Sequence, residues 1–142
     1  MKKHFAHILH IGACIAMVGI VYFAFLKNTG TKEIDVWETK IDEQPPVSIA
    51  ITPRTLGKNA DTWEFNIVFD THSGSLDEDP MEVIVLSDKG KEYKPASWEG
   101  PGPGGHHREG ALVFDAVKGA ASVELKVKNI GGIPGRVFQW KF

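Results

Sequence analysis

The 142-residue sequence predicts an all-β fold on three observations: short runs of period-two apolar/polar alternation, turn chemistry between them, and no convincing amphipathic helix. About seven such runs, separated by turn signals every 8–12 residues or so, predict an antiparallel β-sandwich of immunoglobulin-like type, with a barrel as the alternative. Cys14 is the only cysteine, so the cysteine pair of antibody domains is absent and the fold must be held by its core. One transmembrane helix is expected ahead of this domain.

The first 26 residues carry no charge after Lys2 and Lys3, apart from three histidines. At about 1.5 Å per residue, a helix over residues 5–26 is roughly 33 Å long, enough for a bilayer core. The run ends on bulky residues, Tyr22, Phe23, Phe25 and Leu26, which disfavours signal-peptide cleavage. Residues 1–27 are therefore expected to be an uncleaved anchor. Lipidation at Cys14, after Ile11, Gly12 and Ala13, is the alternative. Lys2 and Lys3 place the N-terminus in the cytoplasm and the rest of this single-pass chain outside it. His4, His7 and His10 repeat every three residues and read as interfacial. Residues 28–46 are polar, close on Pro45 and Pro46, and read as a stalk containing a short strand at 34–37.

Residues 47–142 are expected to form the extracytoplasmic sandwich. Val47, Ile49 and Ile51 alternate with Ser48, Ala50 and Thr52. Trp63, Phe65, Ile67 and Phe69 alternate with Glu64, Asn66, Val68 and Asp70, the strongest strand signal in the chain. The denser run 81–86 fits a central strand. Ser87, Asp88, Lys89 and Gly90 turn the chain into a hairpin with 91–94. Residues 111–114 place Leu112 and Phe114 on one face. Val123, Leu125 and Val127 alternate with Glu124, Lys126 and Lys128, and Phe138, Trp140 and Phe142 complete a last strand.

Charge excludes one class of partner. Beyond Lys2, Lys3 and Lys27 the chain has 13 Lys and Arg against 18 Asp and Glu, a net of −5. A nucleic-acid partner calls for a basic surface, so none is expected.

The chemically informative side chains fall at strand ends. Residues 97–114 contain Gly100, Gly102, Gly104 and Gly105 interleaved with Pro101 and Pro103, followed by His106, His107, Arg108 and Glu109. Proline fixes φ and glycine opens positive φ, so this is a shaped loop. Asp70 and His72, two apart, share the face opposite to Phe65 and Phe69. Imidazole with carboxylate suits copper or zinc, and His72, His106, His107 and Asp70 are the candidate ligands. The competing reading is structural: His106 and Arg108 satisfy loop carbonyls, and His72 caps a turn. Trp98 and Arg108 are candidates for partner contact; Trp98 is alternatively a rim residue bracing the loop. No nucleophile elbow, phosphate loop or EF-hand loop is present, so a binding or assembly module is expected rather than an enzyme. The rival is a hydrolase with a metal held by His72 and His106.

The stretches Asp-Thr-His-Ser-Gly-Ser-Leu at 70–76 and Ser-Trp-Glu-Gly-X-X-X-Gly-Gly-His-His-Arg-Glu-Gly-X-Leu-X-Phe at 97–114 resemble paired motifs of an uncharacterised family of membrane-anchored prokaryotic ectodomains. That resemblance covers much of 47–142 and implies a family of unknown activity, so it transfers no catalytic residues. Asp70 and His72 are also loosely similar to the Asp-X-His element of CopC-type copper-binding sandwich proteins, whose N-terminal histidine ligand has no counterpart here. Two roles are expected to compete. One is transition-metal binding where His72 meets His106 or His107. The other is metal-free interaction with an envelope protein or self-association through an exposed sheet edge.

Overall fold

The computed structural model describes residues 36–141. The anchor expected at 5–26, the histidines at 4, 7 and 10, Cys14 and Phe142 lie outside the described residues. Among the described residues no helix is long and apolar enough to cross a membrane.

Two antiparallel sheets face each other across one core. In chain order the elements are β1 (Lys40–Asp42), β2 (Val47–Thr55), β3 (Thr62–Thr71), α1 (Pro80–Val83), β4 (Ile84–Asp88), β5 (Lys91–Tyr93), β6 (Ser97–Glu99), β7 (His107–Asp115), β8 (Ser122–Ile130) and β9 (Ile133–Lys141). The first sheet has the order β1-β2-β3-β7-β6 and the second β5-β4-β8-β9. Alternation decides which side of each strand is inside. Trp63, Phe65, Ile67 and Phe69 of β3 are buried against Leu86 of β4, Val123, Leu125 and Val127 of β8, and Phe138 and Trp140 of β9. Phe65 sits at the centre, edge-on to Phe114 at 6.0 Å and tilted against Trp140 at 5.7 Å. Such pairs add to the area term for burying large rings.

Strand boundaries depart from the sequence reading at four places. Residues 81–83, read as strand, make one helical turn instead, because Pro80 occupies its first position and the Asp79 carboxylate accepts the Met81 N–H at 2.9 Å. Lys40–Asp42 of the expected stalk pairs with β2, so the first sheet begins before Val47. β6 was not anticipated, and like β1 it has three residues, too few to show a period. β7 begins at His107, which takes His107 and Arg108 out of the loop and into the sheet. Pro53, inside β2, is tolerated because β1 stops opposite Ile51 and the register shifts between Pro53 and Thr55.

The β8–β9 turn lies beside the start of β2. Gly131 and Gly132 both have positive φ, 61° and 75°, as a two-residue hairpin turn requires. A Cβ on Gly131 would also lie 3.1 Å from Pro46 and Val47. The described chain begins at the opposite end of the sandwich, where the Glu38 carbonyl accepts Trp140 Nε1–H at 2.8 Å and Trp140 pairs with Val123 near the start of β8.

Candidate functional site

The 70–76 stretch and the 100–107 part of the second stretch lie at the Gly131 end, and the backbone knits them together. Thr71 N–H donates to His106 O at 2.9 Å, Leu76 N–H to Gly105 O at 3.0 Å, and Gly104 N–H to Leu76 O at 2.8 Å. Positive φ at Gly104 and Gly105, 112° and 79°, lets the second stretch present these groups to the first. The buried Thr71 hydroxyl lies 2.9 Å from Pro46 O and 2.7 Å from Ser73 O, its one proton serving the two carbonyls.

Arg108 locks the join. It is 3 % exposed, with Nη1 donating to Leu76 O at 3.0 Å and Glu78 O at 2.7 Å, and Nη2 to Pro101 O at 3.2 Å. Trp98 lies over the guanidinium at 5.8 Å and donates its own Nε1–H to Pro101 O at 3.0 Å. Two glycines make the indole's seat: a Cβ on Gly100 would be 2.5 Å from Trp98 Cζ2, and one on Gly110 would be 2.7 Å from both Trp98 Cη2 and Glu99 O. Trp98 is half-buried, and its indole is spent on bracing the loop; Arg108 satisfies loop carbonyls instead of facing a partner. The spacing of Trp98, Gly100, Arg108 and Gly110 therefore has a packing cause.

On the outer face of the first sheet, His107 Nδ1 is 2.6 Å from Asp70 Oδ1, and its Nε2 is 3.9 Å from Glu109 Oε2. Glu109 accepts from Asn66 Nδ2 at 2.9 Å, and Asn66 accepts from Arg54 Nη2 at 2.8 Å, so a polar ribbon crosses β7, β3 and β2. The hydrogen bond to Asp70 and that carboxylate's charge hold the His107 imidazole above its ordinary value; desolvation opposes them, and the more distant Glu109 adds least.

His72 lies just past the end of β3, exposed. With Asp70, Glu43, Pro45, Pro46 and Ser48 it lines an open cleft of about 260 Å³. The far wall is fixed by a second buried arginine. Arg136 on β9, 3 % exposed, donates to Val47 O at 2.6 Å and Gln44 O at 3.0 Å, with Asp42 Oδ1 at 3.5 Å. The Pro45–Pro46 bond between those anchor points is cis.

The four expected metal ligands are thus drawn to one end of the sandwich, but for different jobs. Asp70 is held by His107, His106 contributes its backbone carbonyl to Thr71, and His72 faces the cleft. Among the described residues no three His, Cys, Asp or Glu side chains are grouped so that they could hold a metal ion. Glu43, Pro45, Pro46, Ser48 and Arg136 are the neighbours that sequence reasoning missed. The only sequence signal for them was the Pro-Pro pair. Comparison with family models, curated proteins and solved structures finds no match to this chain.

Proposed function

We propose that the chain is an extracytoplasmic binding module, immunoglobulin-like in topology and held to a membrane by residues 5–26, which takes a cationic side chain of an envelope protein into the Glu43–Asp70–His72 cleft. The observation that carries this reading is the cleft itself: two carboxylates, an imidazole and a hydroxyl beside two proline rings. Proline rings accept an aliphatic stem, and carboxylates accept the ammonium or guanidinium at its tip. Two pinned loops form the walls, so little ordering entropy is lost on binding. The net charge of −5 outside the N-terminal run favours encounter with a basic partner.

The topology supports the finer fold reading. The orders β2-β3-β7-β6 and β9-β8-β4-β5 match the A-B-E-D and G-F-C-C′ sheets of immunoglobulin domains, with β1 added outside β2.

The test places a photo-reactive residue at position 72, and at Lys118 as a control, in the full chain in its native envelope. A cross-linked species specific to position 72, lost with Glu43→Gln/Asp70→Asn and weakened by salt, is expected. Equal cross-linking from both positions overturns the reading. Calorimetry with Cu(II) and Zn(II) separates the metal alternative: a site-specific titration lost in His72→Ala would replace the cationic side chain by a metal ion. Protease protection in right-side-out cells checks the membrane placement.

A further inference from the structure

The four sheet edges are unequal. Three of them, β1, β5 and β6, are three-residue strands, whereas β9 has nine residues and, among the described residues, no strand pairs with its other side. Short edges offer little to a passing strand; a long one is a template. The hydrogen-bond phase of β9 follows from its turn. Ile130 and Ile133 flank the two-residue turn at Gly131 and Gly132 and form its closing hydrogen-bonded pair. Odd-numbered residues of β9 therefore bond to β8, and Pro134, Arg136, Phe138 and Trp140 turn their backbone groups outward. Pro134 fits this phase, because proline inside a sheet belongs where its missing N–H faces away from the neighbouring strand.

Side chains along this edge lack the usual guards. Outward-facing positions on β8 are Glu124, Lys126 and Lys128, all charged; on β9 between 133 and 139 they are Ile133, Gly135, Val137 and Gln139. Arg136, the one charged residue in that window, points inward and is 3 % exposed. Val137 is 59 % exposed, one of three large exposed hydrophobics among the described residues.

We infer that β9 is a self-association edge: two copies pair their β9 strands antiparallel about a two-fold axis at Val137, joining two four-stranded sheets into one of eight. The register is dictated by the outward groups. Arg136 and Phe138 exchange backbone hydrogen bonds with Phe138 and Arg136 of the second copy, and Trp140 N–H reaches Pro134 O. Val137 then faces its own symmetry mate as a non-hydrogen-bonded pair, about 4.5 Å apart at Cα. Opposite positions are compatible throughout: Gly135 meets Gln139 and Ile133 meets Lys141, so no like charges face each other. The two Lys141 side chains are about eight residues apart along the ladder, roughly 27 Å, well beyond the screening length. A self-complementary, uncharged edge selects a second copy over an arbitrary strand.

The test uses the full chain in detergent micelles with Cys14→Ser, so that one introduced cysteine is the only thiol. Mild oxidation of Val137→Cys is expected to give a covalent dimer, because about 4.5 Å between Cα atoms lies within the disulfide range. Lys118→Cys, exposed in the connection between β7 and β8 and not on β9, is expected to stay monomeric. In sedimentation, Val137→Lys shifts the mass from two chains to one, with the circular dichroism spectrum unchanged. Equal cross-linking of the two cysteine variants, or none, overturns the inference. So does a one-chain mass for the unmodified protein with slow amide exchange at Arg136 and Phe138, which would show the edge protected without a second copy. A one-chain mass with fast exchange there overturns it as well.

Discussion

Arg108 and Arg136 are equally buried, one on β7 and one on β9, and each fixes a wall of the same end of the sandwich. They differ in what balances the charge. Arg136 has a carboxylate, Asp42, at 3.5 Å beside two carbonyls. Arg108 has three carbonyls and an indole face, with no carboxylate partner among the described residues. Each also keeps a buried Nε without a protein partner among the described residues. A buried cation held by carbonyls alone is exacting, because every acceptor must stay in place for the desolvation cost to be met. The motif stretches are therefore conditional on Arg108 in a way that the Pro-Pro wall is not conditional on Arg136.

The largest expected effect comes from removing Arg108. Arg108→Met removes three bonds from a buried charged donor and strands Glu78 O, while Leu76 O and Pro101 O keep Gly104 N–H and Trp98 Nε1–H, and it should lower stability by about 3–4 kcal/mol in urea titrations. Arg136→Met should cost about 2–3 kcal/mol, of which adding Asp42→Asn recovers roughly 1 kcal/mol, because it removes a partly buried charge that has lost its cation and keeps only its Gln44 hydrogen bonds. No carboxylate substitution near Arg108 should rescue Arg108→Met. Equal losses and equal rescue would erase the distinction between the two clamps.

Next in size is Gly110→Ala, expected to cost about 1–3 kcal/mol through overpacking. Its added methyl meets both the Trp98 ring and the Glu99 carbonyl at 2.7 Å. Trp98→Ala should therefore relieve only part of the loss, since the backbone oxygen stays. Full relief in the double variant would show that the indole alone sets the glycine requirement. Arg108 should then be less stable in its own right, having lost the ring over its guanidinium.

Legibility in the sequence followed distance. The alternation at Trp63, Phe65, Ile67 and Phe69 spelled out β3 and its buried side, since period two is a local property. Sandwich geometry gathers loops at two ends and so allows the 70–76 stretch to meet the loop of the 97–114 stretch, without choosing the end. The bonds that join them were not legible, because they run through backbone groups that every residue carries. Arg136 was invisible as a clamp: its acceptors Val47 O and Gln44 O lie 89 and 92 residues away. Residues 81–83 misled because Met81 and Val83 suit a strand as well as a helical turn, and the Asp79 cap outweighed that preference. The sequence shows the His107 imidazole but not the Asp70 carboxylate that the β3–β7 register sets opposite it.

That pair gives the smallest effect and the sharpest contrast with the buried arginines. His107 and Asp70 are about half exposed, with side-chain exposures of 58 % and 49 %, so solvent screens their attraction. The sign is nevertheless fixed. The Asp70 hydrogen bond and charge raise the His107 pKa in the folded chain, so between the unfolded value near 6.5 and the raised folded value the native state holds more protons. The stabilisation is fully present below the unfolded value and is lost as pH rises through the folded one. An NMR titration of the His107 ring should give a midpoint above the ordinary imidazole value. Asp70→Asn should return it close to that value, Glu109→Gln should lower it less, and salt should shrink the difference between the parent and Asp70→Asn. In thermal scans the advantage of the parent over Asp70→Asn should fade from pH 5.5 to pH 8.5. A His107 midpoint that ignores Asp70→Asn would mean that the 2.6 Å contact does not persist in solution, leaving Asp70 free to serve the cleft alone.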